Sequence, residues 1–190
     1  GSKTEPRAPR WIGLLAAVAT SLLVIELVLT VLITPSLMAA GYDFWHALWN
    51  GFYLAASAFT NTGFVPLAGG LEPFTNDFYL LSVLGIGVFL GAIGFPVIFA
   101  LYRYVIGGGW RAHKRLGLHT KLTLTTTVIF VIFGWIAITA LEWNNVRTFG
   151  HQDVGQTLFN AGYMSVMTRS GGLGIVNPAA CCDLAKAMPK

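Results

Sequence analysis

From Trp11 to Thr34 the chain runs 24 residues with one charged side chain, Glu26. A helix of that length reaches about 36 Å, enough to cross the roughly 30 Å hydrocarbon core of a bilayer. Residues 77–105 and 121–143 read as two further spans. Two apolar stretches, 46–59 after the first span and 154–167 after the third, are too short to cross and read as re-entrant helices. Only 11% of residues are charged, against about 25% in soluble domains. Inside hydrocarbon every backbone polar group must be satisfied within the protein, so such segments become helices. The expected fold is an all-α membrane protein.

The net charge of +4 could suggest a nucleic-acid partner, but the placement of the charges argues for membrane topology instead, and no such partner is expected. Lys3, Arg7 and Arg10 precede the first span. Arg103, Arg111, Lys114, Arg115 and Lys121 lie between the second and third, and 35–77 carries no Lys or Arg. This asymmetry is the positive-inside pattern and puts the N-terminus in the cytoplasm. Trp45 and Trp49 read as an outer aromatic belt and Trp110 as an inner one. Adjacent Cys181 and Cys182 make neither an easy disulfide nor a metal site. His46, His113, His119 and His151 are scattered over both sides of the membrane. Gly1-Ser2 reads as a tag scar.

The order of segments is a parallel internal repeat. Residues 1–10 form a cytoplasmic tail. Residues 11–105 hold span, short helix, glycine loop and span, with Pro35 and Gly41 ending the first span. A basic linker follows at 106–120. Residues 121–174 repeat the unit without its last span, and 175–190 form a tail that does not span.

Each short helix runs into a polar loop. The first is Thr60-Asn-Thr-Gly-Phe64, the second Thr168-Arg-Ser-Gly-Gly-Leu-Gly174. Non-helical backbone at membrane depth survives where it lines a water-filled cavity or is buried in protein. Glycine reaches backbone angles closed to other residues, so successive carbonyls can face one way and replace the water around a cation. Backbone at Asn61, Thr62 and Gly63, with Ser170, Gly171 and Gly172, is expected to face the ion. Thr60, Phe64 and Arg169 are expected to support it. Arg169 would repel a cation, so it should bond loop carbonyls from behind or pair with a carboxylate, with an outward Arg in an outer loop as the competing reading. The negative end of each short helix favours a cation nearby. Glu26, costly in a span, reads as a protonated or hydrogen-bonded packing residue, with a proton- or cation-linked site as the competing reading. Gly87, Gly91 and Gly94 form a small-residue face for close helix packing, and Pro96 a kink.

Ser57-Ala-Phe-Thr-Asn-Thr-Gly-Phe64 resembles the first filter of the Trk/Ktr/HKT potassium-transporter superfamily. Met167-Thr-Arg-Ser-Gly-Gly172 is similar to its second filter, and Leu116-Gly-Leu-His-Thr-Lys-Leu122 resembles the segment that leads into the second repeat of the Ktr branch. The resemblance implies a voltage-gated-like ion-channel architecture, with four span–pore helix–span repeats in one chain and a homodimer of such chains. It implies K⁺ uptake at the plasma (inner) membrane, by passive conduction or by symport with Na⁺ as a candidate coupling ion. No covalent cofactor is expected, and K⁺ itself is the ion at the filter. Glycine at position 63 goes with K⁺ preference, where serine goes with Na⁺ in some relatives. The resemblance further implies a cytoplasmic ring of nucleotide-binding regulatory subunits, with membrane lipid as the other contact of the basic linker.

With one repeat and most of a second, the chain reads as a piece of such a subunit. Two other readings stand beside it: a conventional tetrameric cation-channel pore module, and a non-conducting fragment or assembly partner. An intramembrane enzyme using Glu26 and a histidine is a further rival, but no nucleophile–base pair or paired carboxylates lie at a common depth. The chain is therefore expected not to be an enzyme.

Overall fold

The computed structural model describes residues 10–67, 69–95, 97–99, 118–143 and 153–175. The described residues form helices and loops with no strand. The expected tail before Arg10, most of the basic linker, the outer loop after Trp143 and the segment after Ile175 lie outside them, as do Pro96, Trp110, His113, His151 and both cysteines.

Among the described residues the longer helices are, in order, α1 (Arg10–Ala39), α2 (Phe44–Phe59), α3 (Phe78–Ile93), α4 (Leu118–Glu142) and α5 (Val154–Val166). The 22-residue stretches Val18–Ala39 in α1 and Thr120–Leu141 in α4 are long and apolar enough to cross a membrane.

Pro35 does not end the first span. The helix runs through it to Ala39, because proline so near the end removes a single rung. The stop comes at Gly41, at φ +95°. There the Gly41 N–H donates to the Met38 carbonyl and the Tyr42 N–H to the Leu37 carbonyl, a left-handed C-cap that only glycine enters without strain. Asp43 then caps α2, its carboxylate accepting from the Trp45 N–H at 3.3 Å. Asp153 opens α5 the same way through the Gly155 N–H.

The expected continuous second span, 77–105, is broken. Regular helix ends at Ile93, where Gly94 takes φ +81° and ψ 158°. Helical bonding restarts beyond it, the Ile98 N–H donating to the Gly94 carbonyl at 3.1 Å. A residue with a Cβ could not make that step cheaply.

Helix α2 lies between α1 and α3, and α5 packs on α4 and α3. The core of Leu29, Ile33, Leu54, Leu80, Leu84 and Val88 joins the first three helices and extends to Tyr163, Met167 and Leu173 of the second unit. Small residues set the spacing. A Cβ on Gly51 would meet Thr34 Oγ1 at 3.1 Å, and one on Gly87 would meet Leu29 Cδ1 at 3.0 Å. The outward faces of α1 and α4 carry exposed Leu23, Leu27, Val31, Ile129, Phe133 and Ile136. That is an apolar surface suited to acyl chains or to further helices. Trp45 and Trp49 stand 71% and 70% exposed at the start of α2.

The two units are joined directly. Phe78 and Phe159 stack edge to face with centroids 4.9 Å apart. The Gln156 side-chain amide donates to the Asn76 side-chain carbonyl.

Candidate functional site

At the end of α2 the last carbonyls of the helix are taken up by the residues that follow. The Thr60 N–H and hydroxyl both donate to the Ala56 carbonyl, at 2.9 and 2.6 Å. The Asn61 N–H donates to Ala58 and the Thr62 N–H to Ser57. The Thr62 hydroxyl sits 3.2 Å from Ser57 Oγ and 3.3 Å from Thr60 Oγ1. The loop is thus stitched onto the helix that delivers it. Asn61 adopts φ +56° and Gly63 φ +77°. Asparagine is one of the few L-residues that tolerates the left-handed region.

The second loop starts from the same chemistry. The Thr168 hydroxyl donates to the Met164 carbonyl at 2.9 Å, as Thr60 does to Ala56, and the two threonines lie 108 positions apart. Gly63 and Gly172 lie 109 apart. One extra residue therefore separates threonine from glycine in the second unit. It is accommodated where the sequence suggested plain loop, in a π-helical turn at Met167–Gly171. Such single-turn expansions take up inserted residues and recur at functional sites. The turn closes on Gly172, at φ +65°, whose N–H donates to the Met167 carbonyl. From α5, the buried Tyr163 hydroxyl donates to the Leu173 carbonyl at 2.9 Å and holds the far side of the loop.

The two glycines meet. A Cβ built on Gly63 would stand 2.9 Å from the Gly171 carbonyl oxygen and 3.1 Å from Gly172 Cα; one on Gly172 would stand 3.3 Å from Gly63 Cα. The loops abut backbone to backbone, with no room for a side chain between them. Gly171 is walled in as well, since its Cβ would fall 2.7 Å from both Met167 Sδ and Val88 Cγ1. Thr60, Thr62, Phe64, Thr168, Arg169 and Gly172 are exposed, and Asn61, Gly63 and Ser170 are half-buried.

Arg169 departs from expectation. Among the described residues it bonds neither a loop carbonyl nor a carboxylate; its guanidinium donates to Thr127 Oγ1 on α4 at 2.9 Å. Thr127 is fully buried, so Arg169 ties the loop sideways to α4. Replacing Thr127 by Val keeps the shape and removes the acceptor. It should lower thermal stability by about 1 kcal/mol, the worth of one such bond. An unchanged melting transition in detergent would show that the bond contributes nothing.

Glu26 is 5% exposed on α1, and its backbone carbonyl accepts from the Thr30 hydroxyl at 2.7 Å. No His/Cys/Asp/Glu cluster able to hold a metal occurs among the described residues. Sequence reasoning did not foresee the break at Gly94, the partner of Arg169 or the π-helical turn at Met167–Gly171. The unequal threonine-to-glycine spacing was the one readable signal for the altered second turn.

The Ktr system potassium uptake protein D of Bacillus subtilis is 33% identical over 145 residues, which is 75% of this chain and 31% of that protein. The Ktr system potassium uptake protein B of the same organism is 28% identical over 168 residues, 88% of this chain and 36% of that protein. The potassium/sodium uptake protein NtpJ of Enterococcus hirae is 29% identical over 125 residues, 66% of this chain and 26% of that protein. The chain spans about a third of the length of these relatives. The family model described as TrkH, cation transport protein, matches residues 9–184, nearly the whole sequence, so this membrane chain belongs to the TrkH family of cation transport proteins.

Proposed function

We propose that the chain takes part in K⁺ uptake across the cell membrane, as part of a Trk/Ktr-type subunit, with its two glycine loops forming part of the ion path. The observation that carries this reading is the meeting of Gly63 and Gly172. Both have positive φ, both follow a half-length helix, and they touch with no side chain between them. Two loops cannot surround an ion, but they can form one side of a ring whose remainder comes from other repeats or another chain.

In this reading the backbone of Asn61, Thr62, Gly63, Ser170, Gly171 and Gly172 faces the cation. Thr60 and Phe64 hold the first loop, and Arg169 anchors the second from the side away from the ion. The protein would be multi-pass with a cytoplasmic N-terminus, on the charge asymmetry of the sequence. The full-length subunit would form a homodimer and contact a nucleotide-binding regulatory subunit through the basic linker. Relatives named for potassium and for potassium/sodium uptake support a monovalent cation as cargo and keep Na⁺ as the candidate coupling ion.

The test is K⁺ and Na⁺ flux into liposomes containing the chain. Flux that prefers K⁺ supports the reading. Flux without preference, or none from folded protein, would remove selective conduction from what this chain does by itself.

A further inference from the structure

Asn61 does more than supply loop backbone. Oriented so that both ends of its amide meet complementary groups, its Nδ2 donates to the Val88 carbonyl at 3.2 Å and to Ser170 Oγ at 3.3 Å, and its Oδ1 accepts from the Ala92 N–H at 3.1 Å. Val88 and Ala92 are four residues apart on α3, the pair that an α-helix joins by its own backbone rung. The amide of the first loop therefore bridges one rung of α3 from outside. Gly91 makes the approach possible, because a Cβ there would overlap the Phe59 carbonyl oxygen and stand 2.7 Å from the Asn61 amide. Regular helix ends one residue past Ala92, and Gly94 takes φ +81°. Side chains that enter a helical ladder are among the few causes of sharp bends.

We infer that Asn61 is a positioning residue: its amide locks the first loop to the break in α3 and, through Ser170, to the second loop, so that the three hold one arrangement together. The backbone and side chain cooperate in this. Only a residue that accepts positive φ can turn the chain at 61, and only a group with a donor and an acceptor side by side can span Val88 and Ala92. Asparagine meets both demands. Glycine meets the first alone. An ionised aspartate offers acceptors only, whereas a protonated one again offers a donor beside an acceptor. As geometry the inference stands by itself. As a device of an ion path it rests on the reading of the preceding subsection.

Hydrogen–deuterium exchange of the whole chain in lipid nanodiscs tests it without any flux measurement, so failure of the transport reading leaves the result intact. Asn61→Gly keeps the backbone turn and removes the amide. Exchange at Ala92, at 97–98 and at Gly63–Phe64 should rise together, by about tenfold, the factor that one hydrogen bond supports. Exchange in α1 should stay as it was. Asn61→Asp should match Asn61→Gly at neutral pH and return toward the parent chain near pH 4 and below, where a carboxyl regains its proton. Rates are compared with the parent at each pH. Unchanged exchange in Asn61→Gly, or an Asn61→Asp variant with no pH-dependent recovery, would overturn the inference. A side chain that merely fills space gives no such recovery. If Asn61→Gly fails to fold, the two pH arms of Asn61→Asp decide the matter.

Discussion

Gly91→Ala is expected to destabilise the chain by more than about 2 kcal/mol, although helix propensity alone argues the other way. In an isolated helix the exchange gains about 1 kcal/mol. Here the new Cβ overlaps the Phe59 carbonyl oxygen and stands 2.9 Å from the Phe59 carbonyl carbon. Both neighbours are backbone at the end of α2, so no side chain can swing aside. The helices must separate, and forced overpacking of this kind costs about 1–3 kcal/mol and sometimes more. Separation would also pull the Asn61 amide from α3. Gly85→Ala on the same helix is the matched control. Its Cβ meets nothing closer than Tyr163 Cδ2 at 3.8 Å, so that variant should be neutral or slightly stabilising. Thermal unfolding of both in detergent decides. A Gly91→Ala chain as stable as Gly85→Ala would mean that α2 and α3 do not meet as described.

Gly63→Ser is expected to reduce K⁺ transport at least tenfold and to shift what remains toward Na⁺. Two physical effects combine. At φ +77° an L-residue carries a penalty of about 1–2 kcal/mol, which is roughly tenfold in an equilibrium constant. The added Cβ would also press on the Gly171 carbonyl oxygen at 2.9 Å, and this atom belongs to the backbone proposed to line the ion path. Gly70→Ala separates the two effects. Gly70 has φ +67° with nothing within 4 Å of its Cβ, so that variant carries the strain without the collision. It should lose stability and keep K⁺ preference. The measurement is K⁺ and Na⁺ uptake by cells that lack their own K⁺ uptake and express each variant. Wild-type preference in Gly63→Ser would remove this glycine from the ion path.

Much of the architecture could be read from the chain because hydrocarbon leaves few options. A 24-residue apolar run with one carboxylate must be a helix. An apolar segment of 14 residues is too short to cross. Gly63 and Gly172 could be singled out because a glycine after a polar threonine turn is there for its backbone angles. Their meeting could not be read, since nothing along the chain states which loops share a surface.

The misreadings have physical causes. Pro35 was expected to stop α1, but a proline in the last turns removes one rung, and the left-handed cap at Gly41 made the actual stop. The second span was read as running from 77 to 105 with a kink at Pro96, because composition does not register a backbone step at Gly94. Arg169 was assigned a carbonyl or carboxylate partner because its charge would repel a cation in the path, and repulsion does not say which acceptor lies behind the loop. Its partner proved to be Thr127, 42 residues earlier on another helix.

The sequence by itself determined the membrane setting, the helical class and the glycine loops. Each follows from local quantities: length, hydropathy, charge placement and permitted φ. The tertiary structure alone decided that the two loops touch, that Asn61 bridges α3 beside Gly91, and that Arg169 ties its loop to α4. Those contacts join residues far apart in the chain, and only packing determines which distant groups come within bonding distance.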